Sequence, residues 1–209
     1  MQLTSSHFED GQPIPPELAF ARPHPSEHLT LSDNKSPQLS WSELPAGTAS
    51  LVLICVDPDA PTVADDVNQE GRTLAPELPR GDFHHWVMVD IPATCCGLDA
   101  GSCGAGVVPH GKPDPAGPSG SRQGVNDYTA WFAGDDEMAG TWLGYDGPCP
   151  PWNDERLHHY HFRLYALDVD SLPVQGAFTA ADVQAAMQGH VLASTELTGT
   201  YSNNPASLS

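Results

Sequence analysis

The stretch LVLICVDPDAP, residues 51–61, joins a continuous apolar run to two carboxylates set between prolines. A short apolar run bounded by turn residues predicts a buried β-strand, and we place this strand at residues 49–57. The strand then finishes in Asp57 and Asp59 follows, where prolines restrict the backbone and an aspartate often bonds to its own main chain. The sequence therefore predicts a buried strand that ends in a rigid acidic turn.

The rest of the chain also favours β-structure. The 19 glycines and 21 prolines leave few places for long helices. Apolar runs predict further strands at residues 37–41, 84–92, 158–168 and 191–201. The turn-rich segments 58–82 and 93–128 are long for connections inside a domain, and loops of that length are commonly functional. We predict a mostly β single domain over residues 1–209.

One helix is indicated near the C-terminal end. Thr179 and Asp182 form a capping pattern, residues 180–188 are rich in helix formers, and Gly189 provides a stop. We expect this helix to pack on the sheet through Val183, Ala186 and Met187.

Charge restricts the partners of the chain. Twenty-seven acidic residues against eight basic ones give a net charge of −19, which disfavours nucleic acid and anionic membranes as general partners. No apolar run approaches the roughly 20 residues of a membrane span, and residues 1–24 lack the features of a signal peptide. We expect a cytoplasmic protein without an integral membrane segment, with a processed periplasmic protein as the alternative.

Five cysteines cannot all pair within one chain, and Cys55 lies inside an apolar strand, so a reducing compartment is the simpler interpretation. Cys95, Cys96 and Cys103 lie close together in sequence, which leaves a metal site and a regulatory disulfide as alternatives. Their spacing matches no strong zinc pattern. The oligomeric state is left open, with a homodimer among the alternatives.

Polar residues stand at corresponding ends of two predicted strands. If strands 49–57 and 84–92 are antiparallel neighbours, Asp57 and His85 share one edge of the sheet. We expect His85 to point inward at the mouth of the core. Regular alternation predicts one face with His85, Val87, Val89 and Ile91, and the other with His84, Trp86, Met88 and Asp90.

The strand at 158–168 adds a further polar end. Alternation predicts one face with His158, Tyr160, Phe162 and Leu164, and the other with His159, His161, Arg163 and Tyr165. Before it, Gly147 allows close backbone approach and Pro148 stiffens the chain. Each feature alone has a structural explanation as a turn residue or a satisfied histidine. Their coincidence at one end of a sheet favours a binding site.

The order of DPDAP, HHWVMVDIP, GPCPP and HHYHFRLYALD resembles the phosphatidylethanolamine-binding protein family, over about residues 37–201. The resemblance implies a large antiparallel sheet beside a smaller second sheet, a Greek-key-like sandwich, with one or two short helices. It also implies a small pocket for phosphate, phosphorylethanolamine or carboxylate, without a cofactor. Family members act as inhibitors or scaffolds of kinases and proteases, so the resemblance extends the partners to those classes. The pocket residues carried over by motif are Asp57, Asp59, His85, Gly147, Pro148, His158 and Tyr160.

Two positions depart from the family pattern. Phe83 stands where animal members have tryptophan, and His159 replaces the arginine of their His-Arg-Tyr motif. The pocket tyrosine of the animal C-terminal helix has no clear counterpart, and Tyr201 is not assigned to that role.

We interpret the chain as a non-enzymatic binding or regulatory protein. The sequence contains no nucleophile elbow, phosphate loop or convincing acid–base pair. Our hypothesis is that fixed carboxylates orient His85 and His158, favour their protonated forms and leave N–H donors aimed at an anion. The rival is a metal-dependent hydrolase or cupin-like enzyme with His85, His158, His161 and Asp57 around a divalent ion. Alternation argues against that full set, since His158 and His161 fall on opposite faces.

Overall fold

A computed structural model of the chain describes residues 1–208. Its strands are β1 (Gln2–Thr4), β2 (Gln12–Pro13), β3 (Ala21–His24), β4 (His28–Leu31), β5 (Leu39–Ser42), β6 (Ser50–Pro61), β7 (Arg80–Pro92), β8 (Gly97–Leu98), β9 (Arg122–Gln123), β10 (His158–Leu167) and β11 (Val191–Tyr201). Its α-helices are α1 (Tyr128–Trp131) and α2 (Ala180–Ala186), and its 3₁₀ turns are Pro16–Leu18 and Pro205–Leu208.

The large sheet has the strand order β2-β11-β10-β6-β7-β9. Neighbouring strands in this sheet are antiparallel, except that β2 pairs in parallel with β11. The chain turns at Gly11, where φ is +75°, and then runs along β11 in the same direction. A three-stranded sheet, β1-β5-β8, and the hairpin β3–β4 complete the β-structure. The mostly β prediction with smaller sheets beside a large one is confirmed, and the large sheet is mixed at its β2 edge.

Apolar side chains cover both faces of the large sheet. The three-stranded sheet packs on one face and helix α2 packs on the other. Residues in the first core, which we call the inner core, include Leu3, Leu39, Trp41, Leu53, Trp86, Met88, Tyr160, Phe162 and Leu164. Residues in the second core, which we call the helix-side core, include Val52, Ile54, Val87, Val89, Val183 and Met187, with Ala186 partly buried against them.

Helix α2 forms as the sequence predicts. The Thr179 hydroxyl accepts a hydrogen bond from the Asp182 amide, and the Asp182 carboxylate accepts one from the Thr179 amide at 2.8 Å, which completes a capping box. The helix ends at Ala186, and Gly189 follows with φ of +84°. Within residues 1–208, every helix falls short of the length and apolar character that a membrane crossing requires.

The central strands are longer than the sequence indicated. Strand β6 continues through DPDAP to Pro61, and Ala60 pairs with Gly81 of β7. The predicted end of the strand at residue 57 is therefore wrong, whereas the expected bond of Asp57 to its own main chain is present, since its side chain accepts from the Asp59 amide. The register is irregular between Asp57 and Ala60, which is where a sheet tolerates a proline that cannot donate to the ladder. The connection predicted at 58–82 shrinks to 62–79, and β8 and β9 interrupt the one predicted at 93–128.

Candidate functional site

A β-bulge in the middle of β7 sets the position of His85. His84 and Trp86 pair with consecutive residues of β6, so His85 between them is the extra residue of the bulge. Its ring meets the Tyr160 ring nearly edge-on, with centroids 5.1 Å apart. His85 is 3% exposed, in agreement with the inward orientation predicted from the sequence.

The faces of β7 differ from the predicted alternation. The bulge adds one residue and thereby changes which face each following side chain takes. A second register shift lies near Asp90, where φ is +57°, and changes the faces again. The side chains that join the inner core are Trp86, Met88 and Ile91, and those that join the helix-side core are Val87 and Val89. The predicted grouping of His85 with Val87, Val89 and Ile91 is therefore wrong.

His158 lies between two carboxylates. Its Nδ1 is 2.7 Å from the Asp57 carboxylate, and its Nε2 is 3.1 Å from the Asp154 carboxylate. Burial lowers the pKa of His158, but the hydrogen bonds to Asp154 and Asp57 outweigh burial and raise the pKa to about 9. His158 is thus an imidazolium at neutral pH, and both of its N–H groups donate to carboxylates. The hypothesis that His158 aims a free donor at a ligand is wrong, because no N–H remains for one.

The two aspartates of DPDAP have different surroundings. Asp57 lines the cavity described below, and its second oxygen accepts a hydrogen bond from the Asp59 amide at 2.8 Å. Asp59 instead bonds Arg156 Nε at 2.6 Å and His159 Nδ1 at 2.7 Å. Burial raises the pKa of Asp59, and its bonds to His159 and Arg156 lower it further than burial raises it. Asp59 therefore supports the neighbouring strand, and it does not line the cavity.

His85 is neutral, whereas His158 carries a positive charge. Its Nδ1–H donates to the Asp146 carbonyl at 2.8 Å, and burial lowers the pKa of His85 although the Asp57 carboxylate acts to raise it. A neutral imidazole that carries its proton on Nδ1 has an acceptor at Nε2. Within residues 1–208 the ring of His85 forms its hydrogen bond through Nδ1, and none is formed at Nε2. The expectation of a protonated His85 is therefore reversed for the ligand-free protein.

These side chains meet at a cavity of about 370 Å³. Predicted site residues that line it are Asp57, His85, His158 and Tyr160. The Tyr160 hydroxyl is buried and has no hydrogen-bond partner in the described part of the chain. Other lining side chains are mainly apolar: Leu29 and Leu31 of the β3–β4 hairpin, Phe20, Phe83, Tyr128, Trp131, Phe132, Cys149, Pro150 and Pro151. The Tyr160 hydroxyl and the His85 ring therefore stand in a largely apolar cavity.

Sequence reasoning missed several of these wall residues. Tyr128 begins α1, lies between Phe83 and Phe20, and donates its hydroxyl hydrogen to the Gly147 carbonyl at 2.8 Å. The preceding Asn-Asp pair, typical of a helix start, was the available signal for α1. The β3–β4 hairpin had no comparable signal, because residues 21–31 show no regular alternation. Cys149 also lines the cavity, and burial raises its pKa to about 12, so it is a neutral thiol.

Gly147 and Pro148, predicted to line the pocket, lie behind its wall. The Pro148 carbonyl accepts a hydrogen bond from the Phe20 amide at 2.9 Å. A Cβ added at Gly147 would lie 2.0 Å from the Leu18 carbonyl oxygen. Gly147 thus allows the close backbone approach that the sequence suggested, and it packs two chain segments together without reaching the cavity.

Gly147→Ala is expected to lower the free energy of unfolding by about 2 kcal/mol, because backbone must move to make room for the methyl group. Urea unfolding would measure the loss. Gly134→Ala is a suitable control, since a Cβ there meets nothing within 4 Å. Equal stability of the two variants would contradict the packing role of Gly147.

The metal interpretation requires His161 beside His85 and His158. His161 lies on the other face of β10, where its Nδ1 bonds Glu196 at 2.8 Å. In residues 1–208 no group of three or more His, Cys, Asp or Glu side chains is arranged to hold a metal ion. The structure therefore brings Asp57, His85 and His158 to one cavity and leaves the fourth proposed ligand, His161, on the opposite face of β10.

The two departures from the family pattern have different consequences. Phe83 lines the cavity and contacts the His85 ring at 4.9 Å between centroids. His159 is half-exposed and bonds Asp59, outside the cavity. Tyr201 donates to the Ala21 carbonyl at 3.1 Å and does not line the cavity, so no role as pocket tyrosine is indicated.

The chain is similar to proteins from bacteria and archaea. A family model described as "Phosphatidylethanolamine-binding protein" matches residues 4–202. A UPF0098 protein of Methanothermobacter thermautotrophicus is 37% identical over 177 residues, which cover 85% of this chain and 89% of the relative. UPF0098 protein YbhB of Escherichia coli is 31% identical over 202 residues, which cover 97% of this chain and 100% of the relative.

Solved structures show the same fold. The crystal structure of Escherichia coli YbcL, described as a new member of the mammalian PEBP family, has a TM-score of 0.69 and 29% identity, and the match covers 96% of this chain and 97% of YbcL. A PEBP homolog from Chlamydia trachomatis, CT736, has a TM-score of 0.65 and 30% identity, with 96% and 95% of the two chains covered.

Proposed function

The chain belongs to the phosphatidylethanolamine-binding protein family, and from that premise we propose that it is a non-enzymatic protein that binds a phosphate or phospholipid head group in the cavity. One observation carries the proposal. The Tyr160 hydroxyl is buried without a hydrogen-bond partner among residues 1–208, and it lies beside the cavity that His85, which bonds the Asp146 carbonyl through Nδ1, also lines. Buried polar groups are normally hydrogen-bonded, so a ligand is the expected partner.

The carboxylates beside the cavity do not oppose an anion, because cations balance them. Asp57 and Asp154 face the imidazolium of His158, and Asp154 also pairs with the Arg80 guanidinium. The two carboxylates and the two cations of this group therefore have a net charge of zero. The net charge of −19 acts from a distance and is screened over roughly 8 Å at physiological ionic strength. Local hydrogen bonds therefore decide binding.

A phosphate monoester fits this arrangement chemically. A phosphate oxygen accepts from the Tyr160 hydroxyl, while a single proton shared between phosphate and His85 Nε2 satisfies the histidine. The family description names phosphatidylethanolamine as a ligand, which makes phosphorylethanolamine a natural probe. We also propose that the protein regulates a kinase or a protease, and this part of the proposal rests on the family resemblance alone. The five unpaired cysteines support the proposal of a cytoplasmic location.

The test is an NMR titration of the histidine ring signals with phosphorylethanolamine in a phosphate-free buffer. We expect saturable shifts at His85, and we expect His85→Ala to weaken binding at least about tenfold by removing one buried hydrogen bond. His161→Ala, on the opposite face of β10, should bind as the unmodified protein does. A parallel titration with inorganic phosphate separates free phosphate from a lipid head group as the preferred ligand. Absence of saturation at millimolar concentrations of both probes would contradict the proposal.

A further inference from the structure

A buried charge cluster lies behind His85, outside the cavity wall. The Asp146 side chain is fully buried, and its Oδ1 accepts from Lys112 Nζ at 2.5 Å and from Asn34 Nδ2 at 2.7 Å. Its Oδ2 accepts from Asn126 Nδ2 at 2.8 Å. Burial raises the pKa of the Asp146 carboxyl, and the Lys112 ammonium acts in the opposite direction. Lys112 thus supplies the charge that favours a carboxylate at this buried position.

This cluster is joined to His85 through the main chain of Asp146. The Asp146 amide donates to the His85 carbonyl at 3.0 Å, and the Asp146 carbonyl accepts from His85 Nδ1–H at 2.8 Å. A carbonyl can only accept, so Nδ1 must hold the proton in this contact. The other charged groups near the ring are Asp57, Asp127 and His158, and none of them forms a hydrogen bond with it. The location of the Asp146 carbonyl therefore sets the tautomer of His85.

We propose that Lys112 and Asp146 are positioning residues that hold His85 in the Nδ1–H tautomer, so that the cavity selects a head group carrying its own proton, a phosphate monoester over a sulfate monoester of the same shape. This inference rests on the proposed function. It adds that the tautomer of His85 determines which head group binds, and it assigns a role to Lys112 and Asp146, which do not touch the ligand.

The chemistry of the two esters explains the selectivity. Near pH 6 about half of a phosphate monoester carries one proton, since its second pKa is about 6. That P–OH donates to His85 Nε2, and an unprotonated phosphate oxygen accepts from the Tyr160 hydroxyl. A sulfate monoester is fully ionised at this pH and presents only acceptors, so its oxygen would face the Nε2 lone pair without a hydrogen between them. One buried hydrogen bond lost in this way corresponds to a discrimination of about tenfold.

The first experiment uses ligand-free protein labelled with ¹⁵N at histidine. Long-range ¹H–¹⁵N spectra distinguish the Nδ1–H from the Nε2–H tautomer, and we expect His85 to show the former. In Lys112→Met the buried carboxylate loses its cation, the Asp146 main chain shifts, and both tautomers are expected. Arg122→Met is the matched control, because it removes the cation that pairs with buried Asp90, on β7 near the sheet edge formed by β9. A merely structural role of Lys112 would lower stability as in the control and leave the tautomer unchanged.

The second experiment measures the affinities of phosphorylethanolamine and ethanolamine O-sulfate by calorimetry at pH 6. We expect phosphorylethanolamine to bind at least about tenfold more tightly to the unmodified protein and to Arg122→Met, and we expect that preference to fall severalfold in Lys112→Met. If Lys112→Met does not fold, the double variant Lys112→Met/Asp146→Asn removes both charges and takes its place.

The outcomes separate this inference from the proposed function. Binding of neither ester would overturn the proposed function and the selectivity with it. An Nε2–H tautomer in the ligand-free protein, equal affinities for the two esters, or an unchanged preference in the variants would overturn the inference while the proposed function stands.

Discussion

Replacement of Asp154 by alanine is expected to lower the free energy of unfolding by about 3–5 kcal/mol, the cost of leaving buried charges without their partner. The Asp154 carboxylate accepts from Arg80 at 2.5 Å and from His158 at 3.1 Å, and it also caps the Arg156 amide at 2.9 Å. The variant leaves the Arg80 guanidinium, which is 7% exposed, without a carboxylate. It leaves the His158 imidazolium with Asp57 alone.

Urea unfolding would measure the effect of Asp154→Ala. Asp168→Ala is the control, because Asp168 pairs with His190 at the surface, where both side chains are nearly half exposed. Exposed pairs contribute about 1 kcal/mol or less, so this control should change stability little. A loss below about 1 kcal/mol in Asp154→Ala would show that the buried cluster contributes no more than a surface pair.

Alkaline pH is expected to destabilise the protein through His158. The pKa of His158 is about 9 in the folded protein and about 6.5 in an unfolded chain. A raised pKa stabilises the fold fully below pH 6.5, and this contribution is lost as pH rises through 9. The shift corresponds to about 3 kcal/mol of stability lost across that interval.

Unfolding curves at pH 6, 7, 8 and 9 would test the pH dependence. His158→Gln keeps a polar side chain without a titrating group, so its stability should vary much less over the same interval. Buried thiols such as Cys149 begin to contribute only near pH 9 and above, and both proteins share that contribution. Parallel curves for the two proteins would contradict the assignment of the alkaline loss to His158.

Local rules predicted the strands β5, β6, β7, β10 and β11 and the helix α2 from the sequence. The apolar run of β6, the alternation of His158, Tyr160 and Phe162 along β10, and the capping box of α2 depend on neighbours in the chain. The same rules failed where tertiary pairing decides the outcome. DPDAP is strand and not turn because β7 extends to meet it, and β2 joins β11 through contacts between distant segments.

The sequence predicted four residues of the cavity correctly, but it did not predict all of their protonation states and hydrogen-bond partners. Asp57, His85, His158 and Tyr160 line one cavity, and His158 is protonated as the hypothesis expected, but His85 is neutral and His158 has no N–H left for a ligand. Burial lowers the pKa of His85, the Asp146 carbonyl accepts its Nδ1–H, and the Asp154 carboxylate accepts the second N–H of His158. Neither aspartate had a sequence signal, because each approaches its histidine only through the folded loops between α1 and β10. That the four cavity residues bind a ligand stays a prediction, which the NMR titration tests.

The bulge in β7 also affects how the gene can evolve. His84 and Trp86 already pair with adjacent residues of β6, so loss of the His85 codon would remove the irregularity at this point of the ladder between the two strands. Such a deletion would remove the histidine of the cavity and spare the register of every other pair. A descendant could therefore lose the cavity histidine, and with it the proposed head-group recognition, in a single mutational event and retain its scaffold for a different use.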